Sequence, residues 1–388
     1  MFIIHTANLY LDRPFSTFSN PHFGRIKRQR QRDVLSEIVN KVIENNADAL
    51  LIAGNLLEAK YITDDTLKWV LKTFESISPI PVIIAPGNAD ALSKYSPYFL
   101  EPLPENVIVL NQPNWIKWES KSIPLVVHGF AVSDTDFQGE PYPDLETIDK
   151  EKNHIILAYD LPLLSKNDAV HDKEIGTYID FGISYIALGK DHKYGQYYHS
   201  SKCSVYYCGL PEPLCLEDIP PFGVLGVQFR CSNNIWETSK IEHIETQKTH
   251  YSHITFNGFN MQKEDVLQLL SDEIAKIPNP RVCHISFDEL ISLKLAQSIP
   301  DIIENLAREC ELITWDITAD FEEIMNSEDE EYNTILSEYY KVLQEELKSA
   351  PDLETQQIIK RARQLTTTAI NNQDLMVPCI QTREVPFK

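Results

Sequence analysis

The sequence predicts an α/β protein whose sheets are buried on both faces. Short runs such as Ala49-Leu50-Leu51-Ile52-Ala53 and Pro81-Val82-Ile83-Ile84-Ala85 are apolar without alternation, the pattern of strands covered on both sides. Between them lie longer segments whose apolar residues recur at helical spacing. A third observation places the chemistry. The apolar runs end in Gly54, in Pro86-Gly87 and in polar loops, and such folds bind ligands beyond the carboxyl ends of their strands.

In chain order, Phe2-Ile3-Ile4 opens the first strand. Residues 26–45 read as an amphipathic helix with Val34, Ile38, Val42 and Ile43 on one face. After the strand at 49–53, Leu67, Val70, Leu71 and Phe74 mark the next helix, and 81–85 is the third strand. Further strands are expected at 107–110, 125–128, 155–158 and 185–188. This arrangement puts Asn8, Asn55, Asn88, Tyr159 and Lys190 in loops at strand ends. His5 and His128 fall within strands and read as core residues or as residues that support the site from behind.

Beyond about residue 245 the texture changes. Segments 251–256, 282–287 and 311–317 read as strands, with helices at 263–275 and 298–309 between them. From about 328 the chain is polar and helix-prone, with helices expected near 330–348 and 353–372. Pro351 separates these two, and Asp352 is placed to cap the second. The expected division is 1–245 as the main α/β core, 246–320 as a small α/β capping domain and 321–388 as a helical tail.

Composition excludes some classes. With 43% apolar and 24% charged residues, the chain has ample material for a core and is not a disordered polymer. The formal net charge of −22 repels phosphate backbones and anionic lipid, so DNA binding would need a local basic patch or a partner. Seven cysteines, all between Cys203 and Cys379, form no CxxC pair and read as reduced thiols of a cytoplasmic protein. No apolar run approaches the ~20 residues that span a bilayer. The apolar N-terminus lacks a basic region and reads as a strand, not a signal peptide.

The strand-end loops carry five motifs in a recognisable order. They are FIIHTANLYLDRPF, LLIAGNLLEA, PVIIAPGNAD, IILAYD and YIALGKDHKYGQ, followed by VYYCGLPEPLCLEDIPPFGVLGVQF. Together they resemble the calcineurin-like metallophosphoesterases of the SbcD type, the nuclease subunits of double-strand-break repair complexes. The resemblance covers roughly residues 1–230. It implies a four-layer sandwich of two mixed sheets flanked by helices, a capping domain and C-terminal helices. It also implies two manganese or magnesium ions held by aspartates, histidines and one asparagine.

Residue by residue, most of that site is missing. Against the family pattern, Asn8 stands for an aspartate, Tyr10 for a histidine and Asn55 for the aspartate that bridges both metals. Asn88 matches. Ala89 replaces the catalytic histidine, Tyr159 replaces a metal-binding histidine, and Lys190 replaces the first histidine of the last pair. His192 matches the second. Two adjacent divalent cations need anionic ligands. Asparagines keep the shape but not the charge, and an ammonium at Lys190 opposes metal by Coulomb repulsion. No metal cofactor and no catalytic residue are therefore expected. The former site is expected to be a packed polar cluster in which Lys190 pairs with Asp90, Asp160 or Asp191. These departures from the pattern then imply an inactive, pseudo-nuclease subunit. The alternative is a divergent DNA exonuclease or phosphodiesterase whose metal site is rebuilt from Asp90, Asp160, Asp191 and His192.

Two other features point to partners. Arg25, Lys27, Arg28, Arg30 and Arg32 crowd the start of a helix, where the macrodipole disfavours cations, and are a candidate contact for DNA or another anion. In the tail, Tyr332, Ile335, Leu336, Tyr339, Tyr340, Leu343 and Leu347 form a stripe that needs covering. The resemblance implies that this stripe docks on the coiled coil of an SbcC-like, SMC-like ATPase. It also implies a homodimer formed through helices of the first domain.

Overall fold

The computed structural model describes residues 1–16, 21–133, 143, 148–161, 175–200, 202–257, 261–288, 291–317 and 321–322, with single residues 342, 345, 346, 349 and 359. The predicted tail stripe, Tyr332 to Leu347, lies outside the described residues. The chain divides into two compact units, Met1–Thr249 and His250–Lys388.

In the first unit, β1 (Phe2–Thr6) leads through α1 (Pro21–Glu44) to β2 (Ala49–Ile52), then α2 (Asp64–Glu75), β3 (Val82–Ile84) and β4 (Val107–Val109). Next come β5 (Ile116–Glu119), β6 (Leu125–Gly129), β7 (Asn153–Ala158), β8 (Ile183–Leu188), β9 (Gly195–His199) and β10 (Ser204–Tyr207). The long strands β11 (Gly223–Ser232) and β12 (Ile235–Glu245) close the unit. These make two six-stranded sheets, ordered β12-β11-β1-β2-β3-β4 and β5-β6-β7-β8-β10-β9. Both are mixed. In the first, β1, β2, β3 and β4 run parallel, whereas β11 pairs antiparallel with β1 and β12. In the second, β6, β7, β8 and β10 run parallel, with β5 and β9 antiparallel at the edges.

The period-2 geometry of the strands sorts their side chains between two cores. Ile3, Leu51 and Ile83 pack with Val127, Ile155, Leu157 and Tyr185 of the other sheet. Ile4, Leu50, Ile52 and Val82 pack on α1 and α2 through Val34, Leu35, Ile38, Leu67, Val70 and Phe74. The outer face of the second sheet buries Ile156, Ile186 and Leu188 against Ile175 and Tyr178. One expected core position is corrected: Ile43 is 53% exposed, and Leu35 and Val39 are buried instead. Residues 34, 35, 38, 39 and 42 form the continuous stripe of a 3.6-residue period, from which 43 departs. Thr63 caps α2 by accepting the Thr66 N–H at 3.3 Å.

The second unit has a parallel sheet ordered β13-β14-β16, from β13 (His250–Asn257), β14 (Arg281–Asp288) and β16 (Leu312–Ile317). A two-residue ribbon joins β15 (Ile291–Ser292) to β17 (Phe321–Glu322). The helices are α3 (Lys263–Ala275) and α4 (Leu293–Leu306). They bury Val266, Leu270, Ile274, Ile299, Ile302 and Leu306 on Ile285, Phe287 and Ile313. The helix expected at 298–309 starts earlier because Leu295 and Ala296 extend the buried face upstream of Pro300, which lies inside the helix. Among the described residues, no helix is long and apolar enough to cross a membrane.

Candidate functional site

The loops after β1, β2, β3, β7 and β8 converge as the strand pattern requires. The first two run side by side: the N–H groups of Asn8, Tyr10 and Leu11 donate to the carbonyls of Gly54, Asn55 and Leu56 at 2.9–3.0 Å. This path holds several residues in the left-handed region, with φ of 59° at Asn8, 48° at Tyr10, 64° at Asp12 and 54° at Asn55. For a residue as large as tyrosine that costs about 1–2 kcal/mol, so the surrounding bonds must hold the loop in place.

The side chains of these loops bond to one another. Asn8 Nδ2 donates to the carbonyls of Gly189 (2.6 Å) and Gly209 (3.2 Å), and at 3.5 Å to that of Asp191. Asn55 Nδ2 donates to Asn8 Oδ1 and to Tyr10 Oη, both at 2.8 Å, while Asn55 Oδ1 accepts the Ala89 N–H at 2.9 Å. Two carbonyl partners fix the orientation of the Asn8 amide, because only its nitrogen can donate to them. Tyr10 Oη lies 3.0 Å from His192 Nε2. Burial lowers the His192 pKa from its ordinary value, which favours the neutral ring, and its tautomer sets which of the two groups donates. The amide hydrogens of Asn8 and Asn55 thus have acceptors, and both amide oxygens lie in the same closed network.

Tyr159 fills the space beside it. Its ring lies against Gly54 and Gly87, where a Cβ on either would sit 2.8 Å from Tyr159 Cδ2. Gly54 also has φ +95°, so glycine is required there twice over. Asn88 is exposed at the following turn.

Asp90 anchors the site from below. Its buried carboxylate accepts the N–H groups of Asn55 (3.0 Å), Leu56 (2.9 Å), Leu57 (3.3 Å) and Gly87 (2.7 Å), and the Tyr98 hydroxyl at 2.7 Å. Asp90 therefore ties the loop after β2 to the loop after β3. The residues of the expected rebuilt site are not brought together. Asp90 is occupied by these five donors. Asp160 bonds Lys190 at 2.6 Å, and exposed Asp191 accepts the Lys193 N–H at 3.0 Å. Among the described residues, no three His, Cys, Asp or Glu side chains form a group able to hold a metal ion. Lys190 settles on Asp160 from among the three expected partners. Its side chain is 58% exposed, so its charge is on the surface, not inside the amide cluster. The Asp160 carboxylate pushes the ammonium above its ordinary value.

The basic run is largely consumed within the protein. Lys27 is fully buried and donates to Glu212 (2.9 Å) and to the Pro213 carbonyl (2.8 Å), which corrects its placement on an anion-facing surface. Arg28 donates to the Pro14 carbonyl, Arg30 to that of Lys248, and Arg32 to Asp12 and Thr66. Arg25 is exposed. The crowding at the start of α1 is thus relieved by carboxylates and carbonyls of the same unit. Sequence reasoning missed Glu212, which also accepts the Lys248 and Thr249 N–H groups. It missed Tyr98 and the Gly189 and Gly209 carbonyls as well. Glu212 lies in the quoted GLPEPL segment, but nothing in its spacing names Lys27 as partner.

Residues 4–194 match the family model described as calcineurin-like phosphoesterase. Over that stretch the chain is similar to calcineurin-like phosphoesterases. No curated protein matches the chain. Among solved structures, similarity is found to a protein of Thermus thermophilus at 17% identity, covering 54% of this chain and 88% of that one with a TM-score of 0.33. It is also found to a dimetal phosphatase from Danio rerio at 12% identity, covering 58% and 92% with a TM-score of 0.36.

The residues gathered at these loops do not fit a pair of divalent cations. Asn8 and Asn55 touch through a hydrogen bond where a cation would need charged oxygens from both loops. His192 Nε2 is engaged by the Tyr10 hydroxyl, and the Tyr159 ring occupies adjacent space. The polar groups of Asn8, Asn55 and His192 that a metal would recruit already have protein partners.

Proposed function

We propose that this chain is a catalytically inactive, SbcD-like pseudo-nuclease subunit that scaffolds a DNA-repair or defence complex with an SbcC-like ATPase. The observation that carries the reading is the Asn55 Nδ2 to Asn8 Oδ1 hydrogen bond at 2.8 Å. It joins two side chains that the family pattern makes metal ligands, and it leaves no pair of carboxylates. Without a bound metal there is no acidified water to attack a phosphodiester. The domain then serves through its surfaces. The tail stripe is its proposed contact with the coiled coil of the ATPase, and DNA contact is indirect.

A homodimer through the first unit belongs to the same proposal. Tyr95, Phe99 and Leu100 are 75%, 55% and 58% exposed in and beside the 3₁₀ turn Pro97–Phe99. Exposed apolar side chains gathered in one segment suit a surface that a second copy covers.

The test combines three measurements on the full chain. Metal analysis after manganese loading is expected to find no stoichiometric metal, and a nuclease and phosphodiesterase assay with manganese is expected to show no turnover. An SbcC-like ATPase is expected to be retained by the full chain and lost when residues 321–388 are removed. Manganese-dependent cleavage of DNA, or an equal pull-down with and without the tail, overturns the reading.

A further inference from the structure

The described cysteines are not equivalent. Cys203 and Cys208 are buried and each donates to a backbone carbonyl, whereas Cys231 is exposed. Cys283 and Cys310 instead meet sulfur to sulfur, with Cys310 Sγ donating to Cys283 Sγ at 3.6 Å. Cys283 lies within β14, and Cys310 lies in the connection from α4 to β16. Both belong to the second unit's core, and both are buried. The neighbouring backbone is held by the Glu311 N–H, which donates to the Arg281 carbonyl at 2.9 Å.

We propose that Cys283 and Cys310 are a peroxide-oxidisable dithiol that closes a reversible disulfide inside the second unit. The donated S–H makes Cys283 the acceptor of the pair, which favours its thiolate and makes it the attacking sulfur. That bond holds the Cys283 thiol below its ordinary value and raises Cys310. In the first step the Cys283 thiolate attacks hydrogen peroxide. An S–O bond forms, the O–O bond breaks, hydroxide leaves, and the sulfur is oxidised by two electrons to a sulfenic acid. In the second step Cys310 sulfur attacks Cys283 sulfur. The S–S bond forms, the S–O bond breaks, and the departing oxygen leaves as water with the Cys310 proton. The net change is two thiols and one peroxide to one disulfide and two waters. A thiol reductant reverses it by exchange. Peroxide is small and neutral, so a brief local opening admits it to this core more readily than it admits a bulky disulfide. The product ties β14 to the chain entering β16 and closes the loop that contains α4.

The full-length protein is treated with hydrogen peroxide, unfolded in N-ethylmaleimide, digested without reductant and read by mass spectrometry. The expected product is a peptide pair joining Cys283 to Cys310, lighter by two hydrogens than the separate peptides and abolished by dithiothreitol. Its formation raises the thermal midpoint of the treated protein, and reduction returns it. Cys231→Ser leaves the pair unchanged, whereas Cys310→Ser drives Cys283 towards sulfinic acid. The wild-type peptide map decides the matter even if Cys310→Ser fails to fold. The proposal is overturned if both residues still react with N-ethylmaleimide at a dose that oxidises Cys231, or if Cys283 is found joined to another cysteine.

Discussion

Asn55 Nδ2 sits 2.8 Å from Asn8 Oδ1, and this contact bridges the loops that leave the first two parallel strands. With aspartate at both positions, two carboxylates would face each other and would need a cation between them. With asparagine at both, one amide donates to the other and the loops close without metal.

Asn8→Asp is therefore expected to destabilise the protein. The new carboxylate would face the Gly189 and Gly209 carbonyls, which now accept two N–H bonds. Losing two buried donors and gaining a buried charge costs about 2–4 kcal/mol. Urea unfolding of the variant measures it. An unchanged midpoint would show that these donors hold nothing together.

Tyr10→Phe removes the hydroxyl between Asn55 and His192. A stability loss of about 1 kcal/mol is expected from the broken bonds. His192 also loses its hydrogen-bond partner, so its titration, read by NMR, is expected to shift. A titration that stays in place would mean that the Tyr10 hydroxyl does not bond His192.

Lys27→Met leaves Glu212 buried without its cation, at a cost of about 3–5 kcal/mol. Lys27→Met combined with Glu212→Leu removes both charges and is expected to recover part of that loss, as a double-mutant cycle records. Additive single effects would contradict the pairing.

Stability is expected to fall with acid. Burial lowers both His5 and His128 to about 3. The unfolded chain takes up these protons near pH 6.5 and the folded chain does not, so the stabilisation is complete above about 6.5 and is lost as pH falls towards 3. Each histidine contributes at most about 5 kcal/mol to that loss, at 1.36 kcal/mol per unit. His128 bonds His154 at 2.9 Å, so His128→Gln tests the assignment in place. Chemical denaturation between pH 7 and 4 should show a shallower slope in the variant, and identical slopes refute the assignment.

Phe99→Glu puts a charge among Tyr95, Phe99 and Leu100. Light scattering of the wild-type chain is expected to report a dimer, and of the variant a monomer with an unchanged melting temperature. A monomeric wild type ends the dimer proposal.

Local pattern and tertiary placement contributed differently to these conclusions. Apolar runs and helical periods depend on neighbours a few residues apart, so the succession of strands and the stripe from Val34 to Val42 could be read directly. The loss of charge at Asn8 and Asn55 and the substitutions at Tyr10, Ala89 and Tyr159 were equally open, because they are single residues in ordered motifs. Whether these residues touch was not. Asn8 meets carbonyls at 189 and 209, Asp90 serves N–H groups more than thirty residues upstream, and Lys27 finds Glu212 across 185 positions. A run of cations looks the same in sequence whether it faces solvent or a buried carboxylate. Only the packing of α1 against the chain around Glu212 and Lys248 decided that Lys27 is an internal ion-pair member and that Arg30 binds a carbonyl. The α/β architecture and the missing carboxylates were thus written in the residues themselves. That the vacated positions close on one another followed from the fold, because a buried amide must find its partners wherever the chain brings them.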